Sequence, residues 1–244
     1  MTSQNSRQNS RHDSCHDSSQ ERAFFGRRAG QGLRPGQSRL IGELLPKLRL
    51  PEGALPRLEE LFADPVREVR LEIGFGGAEH LLSAAKAAPN IGFIGVEPFI
   101  NGMAKALSVI EAENITNIRL WDDDASLLLK RIPDAALAQV DLFYPDPWPK
   151  RRQRKRRFVS DATLEQIARV LKPGCAFRFA TDIDDYAGWT LARLLRSPSL
   201  TWSAEKPRHW LTPLEGWVRT RYETKAILAG RVPSYITAIR NGAD

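Results

Sequence analysis

Cysteine is scarce in this chain: Cys15 and Cys175 are the only two, too few for a disulfide framework or a cysteine-based zinc site. No run of about 18 apolar residues is present, so no membrane-spanning helix is expected. The first residues are polar and lack an apolar core segment, so no secretory signal is expected, and a reducing cytoplasm fits best. An excess of acid is also missing, with 36 Lys+Arg against 29 Asp+Glu in 244 residues and a net charge of +7. What the chain does have is 42% hydrophobic residues, enough to bury a core and to exclude wholesale disorder.

The positive excess has one address. Residues 150–157 read Lys-Arg-Arg-Gln-Arg-Lys-Arg-Arg, and without those seven cations the chain holds 29 basic and 29 acidic side chains. Clustered Lys and Arg neutralise phosphates regardless of sequence, so the block points to a polyanion. The competing readings are a solvated basic loop and an import signal.

Residues 1–22 contain six Ser and three Gln and no aromatic or branched aliphatic side chain. Such a segment cannot offset the entropy of ordering, so a disordered tail is expected, followed by one domain over 23–244. His12 and His16 read as solvated residues of that tail, not as metal ligands. Its Arg and Ser content resembles a transit peptide, but Asp13, Asp17 and Glu21 argue against one.

From about residue 66 apolar strands alternate with amphipathic helices. Strands are expected at Val69–Ile73, Ile91–Val96, Ile118–Trp121, Val140–Tyr144 and Ala176–Ala180, and helices over about 78–88, 99–113, 159–171 and 184–196. Lys172-Pro173-Gly174 closes the third of these helices, and Tyr235–Ile239 is expected as a last edge strand. This order predicts an α/β fold: a doubly wound, mostly parallel, Rossmann-like sheet with helices on both faces.

In such a sheet ligands bind at the carboxyl ends of the strands. Glu72, Gly74 and Gly76 close the first strand, Glu97 the second, and Asp122-Asp123-Asp124 the third. The glycines let backbone approach a ligand, and Glu97 can accept from both hydroxyls of a ribose. A dinucleotide fingerprint needs Gly or Ala three positions after its second glycine; here Glu79 stands there. The acidic rim of Glu72, Glu97 and Asp124 instead suits a ligand with a cationic end, such as S-adenosylmethionine.

After the fourth strand comes Tyr144-Pro145-Asp146-Pro147-Trp148-Pro149-Lys150. Three prolines fix an extended, stiff loop, which carries Asp146, Trp148 and Lys150 to the same sheet edge. A rigid turn with a buried Trp and a capping Asp is the plainer alternative. Asp182 after the fifth strand is a candidate acceptor for a ligand's N–H donors or, equally, a helix cap. Trp148 is open between stacking on a base and packing. His80 and His209 show no partner pattern and read as structural.

Together these stretches resemble one family, the bacterial tRNA (guanine-N7)-methyltransferases. The resemblance rests on Leu71-Glu-Ile-Gly-Phe-Gly76, Gly95-Val-Glu97, Pro145-Asp-Pro-Trp-Pro-Lys150 with its basic continuation, Thr181-Asp182 and Thr220-Arg-Tyr-Glu223, in order over about 70–230. It implies a Rossmann-like class I methyltransferase that makes 7-methylguanosine in the tRNA variable loop, at position 46 of tRNA numbering. It implies that Glu72, Gly74, Gly76, Glu97, Asp124 and Asp146 contact S-adenosylmethionine, with Asp146 the catalytic residue. Lys150, Asp182, Thr220, Arg221, Tyr222 and Glu223 would hold the guanosine. Arg152, Gln153, Arg154, Lys155, Arg156 and Arg157 would lie along tRNA. Neither a metal nor a membrane is implied, and monomer and homodimer both stay open. Two positions depart from the family pattern: Ala78 where the turn often has another Gly, and Gln153 in place of a common His. A methyltransferase for another base position, or a non-catalytic RNA-binding protein of the same fold, is the alternative.

Overall fold

The computed structural model describes residues 25–242, so the tail expected over 1–22 lies outside the described residues. The strands are β1 (Val69–Ile73), β2 (Gly92–Val96), β3 (Ile118–Trp121), β4 (Leu137–Phe143), β5 (Leu171–Thr181), β6 (Leu200–Trp202) and β7 (Ser234–Arg240). The helices are α1 (Pro35–Glu43), α2 (Leu45–Leu48), α3 (Glu79–Ala87), α4 (Ile100–Glu113), α5 (Ala125–Arg131), α6 (Asp161–Val170), α7 (Asp184–Leu194), α8 (Arg208–Leu211) and α9 (Arg221–Leu228). Among the described residues seven strands form one sheet in the order β3-β2-β1-β4-β5-β7-β6. β1 to β5 run parallel, and β7 pairs antiparallel with both β5 and β6. The doubly wound, mostly parallel architecture expected above is therefore present.

Alternation along the strands splits the core between two faces. Leu71, Ile73, Val140, Leu142, Phe177 and Phe179 pack with Leu128 of α5, Leu164 and Ile167 of α6 and Tyr186 of α7. Phe93, Ile118 and Leu120 pack instead with Leu81 of α3, Met103 and Leu107 of α4 and Leu40 of α1. No helix among the described residues is long and apolar enough to cross a membrane.

Local chemistry sets the helix ends. Ser160 and Thr163 form a reciprocal cap at α6, in which the Ser160 hydroxyl accepts from Thr163 N at 3.1 Å and Thr163 Oγ1 from Ser160 N at 2.8 Å. Asp124 caps α5 by accepting from Ser126 N at 2.8 Å, and Thr220 caps α9 by accepting from Glu223 N at 3.2 Å. α4 ends on Asn114 in the left-handed region at φ 50°.

Two expectations need correction. The segment 235–239 does not form the sheet edge: β7 lies between β5 and the three-residue β6, which is too short to show an alternating pattern. Helix α6 stops at Val170, one residue before β5 begins at Leu171. Leu137 pairs with Leu171 but Gln139 with Ala176, so Lys172-Pro173-Gly174 is an excursion within β5 and not a helix stop. Helix α5 was not legible as a separate element because its seven residues span only two turns.

The tightest backbone approach joins α4 to the turn after β1. A Cβ on Gly102 would lie 2.4 Å from the Gly76 carbonyl oxygen and 3.2 Å from Glu97 Cγ. Gly102→Ala should therefore force the two segments apart and cost ~1–3 kcal/mol in chemical denaturation, the usual range for overpacking. An unchanged stability would show that α4 can retreat freely.

Candidate active site

A cavity of about 500 Å³ opens at the carboxyl ends of the parallel strands. It lies where the sheet order reverses, with β2 on one side of β1 and β4 on the other. Gly74, Gly76, Glu97, Asp124, Asp146, Trp148, Arg156, Arg221 and Tyr222 all border it, so most of the expected ligand-binding positions converge from six separate chain segments. Gly74 and Gly76 adopt φ 72° and 55°, which bends the chain away from the strand and leaves backbone facing the space. Ala78 has φ 63° in the same turn, a conformation that favours glycine. The alanine bears a strain of about 1–2 kcal/mol that glycine avoids, and its buried methyl returns roughly 0.8 kcal/mol.

Glu97 is buried, with Oε2 accepting from Gly76 N at 2.6 Å and Oε1 from Phe99 N at 2.9 Å. Burial pushes its carboxyl above the usual range, and these two N–H donors oppose the rise. In the acidic run, Asp122 pairs with Arg49 and Asp123 with Arg28, whereas Asp124 lines the cavity. Glu72 is placed differently from expectation. It lies off the cavity wall, buried, with Oε2 2.7 Å from His80 Nδ1.

Glu72 belongs to a row of charges across three neighbouring strands. Glu72 is in register with Asp141, and Asp141 with Arg178. Arg178 binds Asp141 through two 2.7 Å contacts. Burial alone would hold His80 neutral, but Glu72, with a smaller contribution from Asp141, raises its pKa above the ordinary value. Glu72, His80 and Asp141 are close enough to surround a metal. Asp141, however, is already occupied by a guanidinium that a cation would have to displace.

The loop after β4 holds its shape against backbone preference, with Tyr144 at φ 50° and Trp148 at φ 40°. Asp146 lies on the cavity wall, and desolvation by the surrounding protein raises its carboxyl pKa. Arg157, expected along RNA, instead fastens this loop. Its side chain is buried, donates from Nε to the Pro147 carbonyl at 2.7 Å and pairs with Asp185. Its guanidinium also lies 4.8 Å from the Tyr186 ring and 5.1 Å from that of Trp189. A charged run gives no hint of which member turns inward.

The remaining cations are not equivalent. Arg151–Arg156 form a 3-10 turn in which Arg151, Arg152 and Lys155 are exposed, as is Lys150 before it. Gln153 is half-buried, and Arg154 pairs with Asp185 at 2.7 Å. Arg156 lines the cavity and faces Trp148 at 5.0 Å.

The C-terminal motif also divides. Arg221 and Tyr222 border the cavity, and a Cβ on Gly76 would lie 3.3 Å from Tyr222 Cε2. The Thr220 side chain is spent on capping α9. Glu223 is buried away from the cavity wall, accepting from Trp217 Nε1 at 2.6 Å and from the Tyr235 hydroxyl at 2.5 Å. The Trp217 ring is packed by Phe143 at 4.7 Å, Tyr235 at 5.3 Å and His80 at 5.6 Å. Asp182 caps nothing: Ile183 takes the N-cap position of α7, and Asp182 bonds Arg231 at 2.6 Å. Trp217, near the C-terminal motif, has no spacing signature that would assign it from sequence, and Phe25, whose contacts with the cavity are entirely long-range, carries no signal at all. Glu223→Gln and Trp217→Phe should each cost ~1–3 kcal/mol in chemical denaturation, and the double variant should cost less than their sum. Strict additivity would mean that the two side chains act apart.

The likenesses to known proteins follow this geometry. A family described as "Putative methyltransferase" matches residues 66–233. A tRNA (guanine-N(7)-)-methyltransferase of Chelativorans sp. (strain BNC1) is 52% identical over 220 residues, 89% of this chain and 95% of its own. The protein of that name from Brucella melitensis biotype 1 is 55% identical over 220 residues, 89% of this chain and 94% of its own. Among solved structures, the 16S rRNA methyltransferase KamB superposes with a TM-score of 0.54 at 14% identity, over 72% of this chain and 89% of that one, a likeness of fold alone. The matched family spans the glycine turn, the Asp146 loop and the C-terminal motif, and these relatives are more than half identical over most of the chain, so the chain belongs to the tRNA (guanine-N7)-methyltransferase family.

Proposed function

We propose that this protein transfers a methyl group from S-adenosylmethionine to N7 of a guanosine in the tRNA variable loop. The observation that carries this reading is the convergence of Asp146, on a braced loop, with the Glu97 and Asp124 carboxylates on the wall of one cavity. The cavity suits the cofactor. Gly74 and Gly76 carry no side chain into it, the carboxylate of Glu97 keeps lone pairs beyond its two N–H partners, and Ile73, Val96, Ala125 and Leu142 supply apolar wall. When bound, S-adenosylmethionine supplies an electrophilic methyl group on a positively charged sulfur.

Guanine N7 has an in-plane lone pair and no proton, so the protein need not provide a general base. Its task is to orient the base and stabilise the positive charge that reaches the purine. Asp146 does both: it accepts a hydrogen bond from the guanine edge and lies as a fixed carboxylate near the developing charge. Arg221 and Tyr222 border the position of the base, while Asp182, off the cavity wall and held by Arg231, serves the tRNA beside it. Thr220 and Glu223 serve by folding α9, and Glu72 by supporting the glycine turn through His80. Lys150, Arg151, Arg152 and Lys155 meet the tRNA phosphates, so the RNA-facing charge is a part of the cationic run and not the whole of it. No membrane takes part in this reading.

Incubation with labelled S-adenosylmethionine and unmodified tRNA, followed by nucleoside analysis, tests the assignment. Label in 7-methylguanosine of the variable loop is expected, and label in any other nucleoside overturns it. Asp146→Asn should lower turnover by roughly 10²–10³, as loss of one preorganised group does elsewhere, with little change in S-adenosylhomocysteine affinity. Because desolvation raises the Asp146 pKa and the carboxylate is the active form, turnover should fall as pH drops through that raised value. The Asn variant should lack this acidic limb. Replacing Arg151, Arg152 and Lys155 by Ala should weaken tRNA binding and flatten its logarithmic salt dependence by about 2–3. Arg157→Ala should instead lower the melting temperature.

A further inference from the structure

Phe25 lies well before β1, yet it borders the cavity together with Gly26 and Arg27. The segment behind it is pinned across the start of α4. Ile100 N donates to the Arg28 carbonyl at 2.9 Å, Gly30 N to Asn101 Oδ1 at 2.8 Å, and Asn101 Nδ2 to the Gln31 carbonyl at 2.7 Å. Arg28 also pairs with Asp123 at 2.5 Å. Phe25 is thus three residues from a fixed point and is held at the mouth even though 45% of it is exposed.

Arg156 joins this ring to the catalytic loop. Its guanidinium carbon lies 5.4 Å from the Phe25 ring centroid and 5.0 Å from that of Trp148. Trp148 stands two residues from Asp146, at the costly φ of 40°, held there while Arg157 grips Pro147. A bulky side chain kept in the left-handed region needs a surrounding structure that over-determines it, and such strain collects where a side chain must be aimed. Aromatic faces and a guanidinium plane share one property, in that each stacks on a nucleobase.

Resting on the function proposed above, we propose that Phe25, Trp148 and Arg156 form a stacking surface that receives the flat face of the target guanine beside Asp146. The chemistry favours recognition by face. Arginine ordinarily reads guanine through O6 and N7, but a hydrogen bond to N7 would occupy the lone pair that must accept the methyl group. Stacking holds the purine and leaves its N7 edge clear. It also offsets the few kcal/mol needed to draw a base out of its own stack.

The test compares Phe25→Leu, which keeps an apolar side chain without a ring, with Phe25→Tyr, which restores the ring. Unmethylated tRNA is the substrate, and S-adenosylhomocysteine affinity is measured by calorimetry. Phe25→Leu should lose about 5- to 150-fold in kcat/KM for tRNA, the range for one base–aromatic stack, with cofactor-product affinity and melting temperature unchanged. Phe25→Tyr should recover most of that loss. Full activity of Phe25→Leu, failure of Phe25→Tyr to recover, or a parallel loss of S-adenosylhomocysteine affinity would each overturn the proposal; the last would make Phe25 a cover for the cofactor. If wild-type protein formed no 7-methylguanosine, the functional reading would fall first, so the two failures are separable.

Discussion

Everything at the site depends on the central position of β1. Its two neighbours, β2 and β4, both run parallel to it, so the chain leaves their carboxyl ends on opposite sides and cannot fill the space between. The cavity is that gap. Its floor requires α4 to come against the turn after β1 more closely than any side chain permits, which explains Gly102 facing the Gly76 carbonyl. The same approach brings Gly76 N within 2.6 Å of Glu97, so the turn and the second strand hold one another.

Beneath that turn one sheet face carries charge where apolar side chains would be expected. Glu72, Asp141 and Arg178 stand side by side on β1, β4 and β5, and His80 closes the row from α3. Such groups are tolerated in the interior because each has a partner with good geometry. Trp217 lies between this row and Glu223, so the end of β1 is linked by packed rings to the start of α9, which carries Arg221 and Tyr222. One continuous buried assembly thus supports the cavity from both sides.

The cationic block looks uniform in sequence and is not so in space. Arg157 is a packing residue that ties the proline-rich loop to α7, Arg154 shares Asp185 with it, and Arg156 faces two aromatic rings. Only Lys150, Arg151, Arg152 and Lys155 of the block are exposed. The cations nearest the Asp146 loop shape that loop through contacts within the fold.

The sequence by itself determined the alternation of strands and helices, the acids at three strand ends and the stiffness of the Asp146 loop. Those features follow from local rules: period-two burial, glycine at positive φ and proline at fixed φ. Only tertiary structure decided that Glu72 turns to His80, that Glu223 is consumed by Trp217 and Tyr235, and that β7 inserts beside β5. It also decided that Phe25 reaches the cavity and that Arg157 is buried. Each of these depends on a partner 6 to 131 positions away in the chain, or on a neighbouring strand out of sequence order. Hydrophobic pattern and residue type specify which face a side chain takes, but not which distant group will meet it there.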